Sequence, residues 1–360
     1  MNIRLVCPIT RDSVEFFDRD SLLKCVSDPG AVTDGMTGAY VSAAAGLAFP
    51  VEDGIHIFLP SAALKLRTQV GVAHESVSAP RNDSVRQWYD KFGWQKTTEG
   101  AYQDSHLFSL AEMTTAKRYE ISAHLSLVER MGSGDAILNA ASGALPQSYH
   151  FAYFFYFGTP VCLDFSKTAL LEAKQKLGTG GVYILADICH MPFADESFDS
   201  IVSAYTVQHI DRNDQATAVK ELYRVLKRGR SLVIINQNAD YAGRWLRKSI
   251  IFCFRVLGKS TKRGRTIAIP KVNSESNAKP PHPLYYHAEP IRWWSAMGRE
   301  LKAITRVECF RLLERDEVMR FFFHRTDYVG NIRGIERLLP RILAGVSAYL
   351  LIDLNKPRSD

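Results

Sequence analysis

The 360-residue sequence has no apolar run approaching the roughly 18 residues that a membrane-spanning helix needs. It also opens without a signal-peptide pattern, because Met1 to Val6 leads straight into Cys7-Pro8. Its six cysteines, Cys7, Cys25, Cys162, Cys189, Cys253 and Cys309, are scattered singly. That spacing offers neither a disulfide framework nor the close pairs of a four-ligand zinc site. A reducing cytoplasm is therefore the expected location. Gly-x-Gly-x-x-Gly, the dinucleotide-binding loop, is missing as well. What remains is an ordinary globular composition, 46% hydrophobic and 23% charged, with a net charge of +7.

The stretch from Ile137 to Ile210 organises the chain. Short apolar runs at Ile137–Ala140, Val161–Asp164, Val182–Asp187 and Phe198–Tyr205 alternate with helix-period segments such as Phe165–Leu177. This is the pattern of βαβ units on a parallel sheet, so the fold class is α/β. Each run ends in polar residues: Asn139 with Ser142-Gly143, then Asp164, then Asp187. Ligands of open parallel sheets sit at the carboxyl ends of the strands, near the switch point. A carboxylate after the second strand suits a ribose diol and one after the third suits an adenine amine, so the expected site is adenosine-shaped.

Two longer patterns sharpen this. Asp187-Ile-Cys-His-Met-Pro192-Phe193-Ala-Asp195-Glu-Ser-Phe198-Asp199 and Glu221-Leu-Tyr-Arg224-Val-Leu226-Lys-Arg-Gly229 resemble motifs of the class I S-adenosylmethionine (SAM) dependent methyltransferases, in their small-molecule branch. The resemblance runs from about Tyr119 to Asn238. It implies a Rossmann-like seven-stranded methyltransferase sheet with SAM as cofactor. It also implies cofactor contacts at Asn139, Ala141, Ser142, Gly143, Asp164, Phe165, Asp187, Ile188 and Tyr205. The family's first loop usually carries three glycines. Here Ala141, Gly143 and Leu145 stand in those places, so one glycine survives where a backbone must approach a ligand closely.

Residues 1–60 read as a small β-rich module. Leu5-Val-Cys7-Pro8, Leu22-Leu-Lys-Cys25 and Phe49-Pro50-Val-Glu-Asp53-Gly54-Ile resemble the zinc-ribbon-like domain of the tRNA-methyltransferase activator family. Cys7 lacks a partner two residues on, so the module is expected to hold no metal. Residues 61–83 read as a linker. Residues 84–360 read as the methyltransferase domain.

Within that domain, Val85 to Trp94 resembles the family's N-terminal lid, which makes Trp88, Tyr89 and Tyr102 candidates for touching cofactor or substrate. An aromatic stripe at helical spacing packing in the core is the other reading. The insert Ser148–Gly158 is rich in Tyr and Phe and reads as a pocket wall or as core filling. After the fourth strand, His209 has the pKa range of a general base for a hydroxyl acceptor, and Gln208 could orient that acceptor. Tyr285, Tyr286 and His287 match a family segment near the mouth of the site. Arg244, Arg247, Lys248, Arg255, Lys259, Lys262, Arg263, Arg265 and Lys271 follow one another without an acid, interleaved with apolar residues. Segment 241–280 is therefore a basic amphipathic stretch suited to peripheral contact, through 244–271, with a lipid or the inner membrane surface. No nucleic-acid module accompanies it. Residues 303–313 read as the sixth strand, 349–356 as an antiparallel seventh, and 314–347 as a helical insertion between them.

The expected function is methyl transfer from SAM to an oxygen or nitrogen of a small metabolite, aromatic or lipid-linked. Two rivals remain: a catalytically inactive methyltransferase-like binding or regulatory module, and a dinucleotide oxidoreductase.

Overall fold

The computed structural model describes residues 3–67, 83–96, 102, 115–239, 249, 283–314, 317–318 and 327–358. Its frame is one continuous mixed sheet. The strands in chain order are β1 (Glu15–Asp18), β2 (Met36–Ser42), β3 (Leu47–Glu52), β4 (Ile55–Ile57), β5 (Leu64–Lys65), β6 (Gly134–Ala140), β7 (Phe157–Asp164), β8 (Val182–Leu185), β9 (Phe198–Ala204), β10 (Leu226–Gln237), β11 (Ile304–Arg311) and β12 (Tyr349–Asn355). They lie in the order β1-β2-β3-β4-β8-β7-β6-β9-β10-β12-β11, with β5 on β3.

From β8 to β10 neighbouring strands are parallel, and β12 inserts antiparallel between β10 and β11. The strand order reverses at β6 and β9, which opens a crevice beyond their carboxyl ends. Apolar residues alternate between two cores. Leu138, Leu163 and Ile184 face one side, and Ile137, Cys162 and Leu185 face the other. Helices cover both faces, so β9 is buried along nearly all of its length and β6, β7 and β8 are buried at their carboxyl ends.

The N-terminal strands are joined to this sheet rather than set beside it. β4 pairs parallel with β8, and Leu5 bridges Phe193. Arg11 donates to the Met191 carbonyl and pairs with Glu221 at 2.8 Å, while Lys167 pairs with Glu52. Residues 61–67 belong to the same hydrogen-bonded unit: β5 pairs with β3, and the Arg67 amide donates to the Cys25 carbonyl. Cys7 is buried among Leu5 and Phe49, whereas Cys25 donates its thiol to the Leu22 carbonyl. Among the described residues no group of three His, Cys, Asp or Glu could hold a metal ion, and no helix is long and apolar enough to cross a membrane. Basic segment 244–271 falls outside the described residues, Ser249 excepted, as does Phe321–His324 of the expected insertion. The insertion's described part forms two helices, Asp327–Leu338 and Pro340–Ala344.

The motif residues that carry the resemblance brace the sheet. Glu221 accepts from the Met191 amide and from Arg224, and Arg224 reaches Asp195 and the Phe193 carbonyl. Asp199 accepts from the Asp135 and Ala136 amides and pairs with Lys227 at 2.9 Å. They hold strand ends in register, away from the crevice.

Candidate active site

The loop after β6 turns sharply: Ala141, Gly143 and Leu145 all adopt left-handed φ, at 57°, 56° and 48°. These are the three positions where the resembled family usually has glycine. The backbone keeps a glycine-type path with two L side chains on it, at a cost of about 1 kcal/mol or more for each. Neighbours hold the strained turn in place. The Ser142 amide donates to the Leu163 carbonyl at 3.0 Å, and the Lys176 ammonium reaches the carbonyls of Ala144 (2.5 Å) and Leu145 (3.1 Å). No Cβ would fit at Gly143, because it would lie 2.5 Å from the Trp94 indole.

Beside this loop, Asp164 ends β7 and accepts the Gly143 amide at 2.8 Å and the Ser166 amide at 2.9 Å. Ser166 in turn caps the helix Lys167–Leu177 through the Ala169 amide, a contact worth about 1 kcal/mol. Burial raises the Asp164 carboxyl to about 6; its two amide bonds oppose that and nearby Asp90 adds to it. Asp187, after β8, accepts the Cys189 amide at 2.9 Å. Burial pushes its carboxyl up, but hydrogen bonds from His190 and Cys189 outweigh that and leave it below its usual value.

One cavity collects these groups. Asn139, Ala141, Ser142, Gly143, Asp164, Phe165, Asp187, Ile188 and Tyr205 all line it, together with Tyr89 and His209. Tyr89 stacks on Trp94 and meets His209 edge-on, so the segment from Asp83 covers the crevice. His209 sits against the Tyr285 carbonyl, 2.9 Å from Nδ1, which acts as donor because a carbonyl only accepts. Nε2 is thereby left as an acceptor, and the Gln208 side-chain amide donates to it at 3.4 Å. Burial lowers the ring's pKa and the Tyr285 bond raises it, with a net fall, so the imidazole is neutral at pH 7.

Other expected contacts lie elsewhere. Tyr102 donates to Glu172 at 2.7 Å and packs edge-on behind Trp94. Gln208 ties β10 to the segment at 285–289, accepting the Gln237 amide through its side chain and the His287 amide through its carbonyl. Tyr285 accepts the Arg212 amide, Tyr286 is exposed 6.0 Å from the His209 ring, and His287 contacts Glu289. None of these five lines the cavity. Trp88 is buried against Tyr89 and Phe92.

On the cavity's other wall, the aromatic insert supplies Tyr149 and His150, in line with one of its two readings from sequence, whereas sequence reasoning missed Glu120 from the helix Thr115–Met131 and Gln147 just ahead of the insert. The insert divides: Tyr149 faces the cavity, Tyr153 and Phe154 fill the core, and Phe155 and Tyr156 are exposed. Behind this wall the His124 ring stacks on Tyr149 at 4.0 Å and contacts the hydroxyls of Tyr153 and Tyr205. Arg311 donates to the Tyr205 hydroxyl at 3.3 Å. For Glu120 the available signal was its helical spacing to His124, four residues on and on the same face.

Residues 138–234 match the family described as methyltransferase domain. An 83-residue stretch is 34% identical to the ubiquinone/menaquinone biosynthesis C-methyltransferase UbiE of Haemophilus ducreyi, covering 22% of this chain and 31% of that protein. Over 122 residues the chain is 32% identical to the demethylmenaquinone methyltransferase of Thermobifida fusca, covering 33% and 50%. The aligned stretches thus span a third to a half of these relatives' lengths. Among solved structures, a phosphoethanolamine N-methyltransferase 2 of Haemonchus contortus in complex with SAM is similar at a TM-score of 0.43 and 16% identity, covering 82% of this chain and 63% of that one. The chain carries a methyltransferase domain of Rossmann-like fold, and the cofactor of that domain is SAM.

Proposed function

We propose that this protein transfers a methyl group from SAM to a small aromatic acceptor. The carrying observation is that residues from four successive strand ends, Asn139–Gly143, Asp164, Asp187–Ile188 and Tyr205, line one cavity with the lid residue Tyr89. The groups present fit SAM. Two carboxylates stand at neighbouring strand ends with oxygen lone pairs beyond those used by amides. The Trp94 indole N–H, buried in the same wall beside Gly143, has no partner among the described residues. An orphaned buried donor is costly unless a ligand uses it.

When bound, SAM supplies an electrophilic methyl on a sulfonium that is a good leaving group. The protein's part is mostly positioning, which alone can lower a barrier substantially. Asp164 would accept the ribose hydroxyls, Asp187 the adenine amine, and the Ile188 backbone would border the ring. Tyr89 and Trp94 exclude water from above. His209, neutral and with Nε2 as acceptor, can take a proton from an acceptor that displaces the long Gln208 amide bond at that nitrogen.

Oxygen and nitrogen were the atoms expected from sequence. The relatives named as quinone C-methyltransferases add ring carbon to that set, and the aromatic lining supports a flat acceptor. The basic segment at 244–271 would bring the protein to anionic lipid if that acceptor is lipid-linked.

Calorimetric titration with SAM, S-adenosylhomocysteine (SAH) and NAD tests the reading. Saturable binding of SAM and SAH, without NAD, is expected. Binding of none would return the chain to the inactive-module reading.

A further inference from the structure

Glu120 is buried at 5% exposure and lines the cavity. Among the described residues its carboxylate has one partner, the Tyr149 hydroxyl, which donates to Oε1 at 3.2 Å. Oε2 has no hydrogen bond among them, so an acceptor oxygen with unspent capacity belongs to a residue that lines the cavity. A carboxylate in such a place is expensive unless something pairs with it. Across the same wall, Arg311 is 3% exposed and makes no ion pair among the described residues. It donates only to Tyr205, another cavity residue, lies over the Tyr349 ring at 4.4 Å, and leaves Nε unpartnered. Both histidines of this wall are neutral, since burial first, and nearby cations besides, depress their pKa values, that of His150 to about 3. Glu120 and Arg311 make no direct contact with each other among the described residues, so Oε2 is not spent on that cation.

Resting on the methyltransferase reading, we infer that Glu120 is the acceptor-recognising residue, and that it selects an aromatic molecule bearing a hydroxyl over the corresponding ether. A hydroxyl can donate to Oε2. An ether offers no proton and would leave the carboxylate oxygen unpaired. The rings of Tyr89 and Tyr149 give the aromatic body its apolar walls.

The test uses the full chain saturated with SAH and two probes of one ring system, 1-naphthol and 1-methoxynaphthalene. Naphthol is expected to bind at least about tenfold tighter than the ether, the range for a hydrogen bond to a charged group. Glu120→Gln keeps an acceptor oxygen but loses the charge, so it should shrink the naphthol advantage severalfold while SAH still binds, which also reports that the variant is folded. Equal binding of naphthol and ether to the native protein, or an unchanged ratio in Glu120→Gln, would overturn the assignment. The native-protein ratio decides the matter even where the variant fails to fold. Failure of SAH itself to bind would count against the methyltransferase reading and is seen before any probe is added.

Discussion

The cavity's two walls are built differently. On the strand-end wall the polar contacts are side chain to backbone and short in sequence: Asp164 to the Ser166 amide and Asp187 to the Cys189 amide each span 2 residues, and Asp164 to Gly143 spans 21. On the helix wall they run side chain to side chain over long separations, 29 residues for Tyr149 to Glu120, 81 for His124 to Tyr205 and 106 for Arg311 to Tyr205. A wall made of strand termini inherits its geometry from the sheet, so the ligand groups it can meet are set by the fold. A wall made of distant side chains can be rebuilt without touching the sheet. Acceptor choice would therefore reside there.

The largest effect that separates the walls lies behind the helix wall. Glu336 is almost fully buried, pairs with Arg333, and accepts from Tyr119 and the Leu312 amide. Breaking a buried pair by neutralising one member costs about 3–5 kcal/mol, because it strands the remaining charge. Glu336→Gln should lower stability in chemical denaturation by that order. SAH affinity under native conditions should stay within about twofold, since no part of this pair lines the cavity. A large loss of SAH affinity would show that the two walls are not independent.

The same contrast explains what could be read in the sequence. Asn139, Asp164 and Asp187 were visible because each directly follows an apolar run, and a run of that kind ends where a parallel sheet presents its ligands. The antiparallel β12 was expected from the resemblance alone, and the sheet expected to have seven strands has twelve, continuing through β4 into the N-terminal strands. Glu120 and Gln147 were not visible, nor was which residues of the insert line the cavity, because that depends on packing against partners far along the chain. Tyr102, Gln208, Tyr285, Tyr286 and His287 illustrate the converse. Each lies near the site in sequence pattern, yet its hydrogen bonds or packing are with supporting structure: Tyr102 behind Trp94, Gln208 and His287 bonded to one another, Tyr285 on Arg212. The edge pairing of β4 on β8 was also hidden, since three residues of Ile-His-Ile say nothing about which strand they will join.

A pH titration addresses the strand-end wall next. Burial, ahead of the opposing amide bonds, raises Asp164 to about 6. For an acid whose folded pKa is raised, the stability contribution is present below the unfolded value near 3.8 and is lost as pH rises through about 6. Cofactor binding has the opposite sign if the ionised carboxylate accepts the ribose hydroxyls. SAH affinity should then fall about tenfold per pH unit below about 6 and level off above it, while the ligand-free protein gains stability from this group over the same fall. Calorimetry and melting curves between about pH 5 and about pH 7.5 would show the two trends crossing. Affinity that is flat over this range would remove Asp164 from the ribose site.

The smallest effect concerns the strained turn. Ala141 holds φ at 57° where glycine would sit without strain. Ala141→Gly relieves about 1 kcal/mol in the folded state but gives the unfolded chain extra freedom worth roughly 0.5–1 kcal/mol. Stability should therefore change by less than about 1 kcal/mol. Leu145 has the same backbone sign, but its side chain is buried in the second core, so removing it would lose packing and confuse the comparison. SAH affinity is the sharper readout. If the alanine turn already follows the path that a glycine turn would take, affinity in Ala141→Gly should match the native protein within about twofold. A marked gain would mean instead that the methyl group at position 141 stands in the ligand's way, and that the missing glycines weaken the strand-end wall after all.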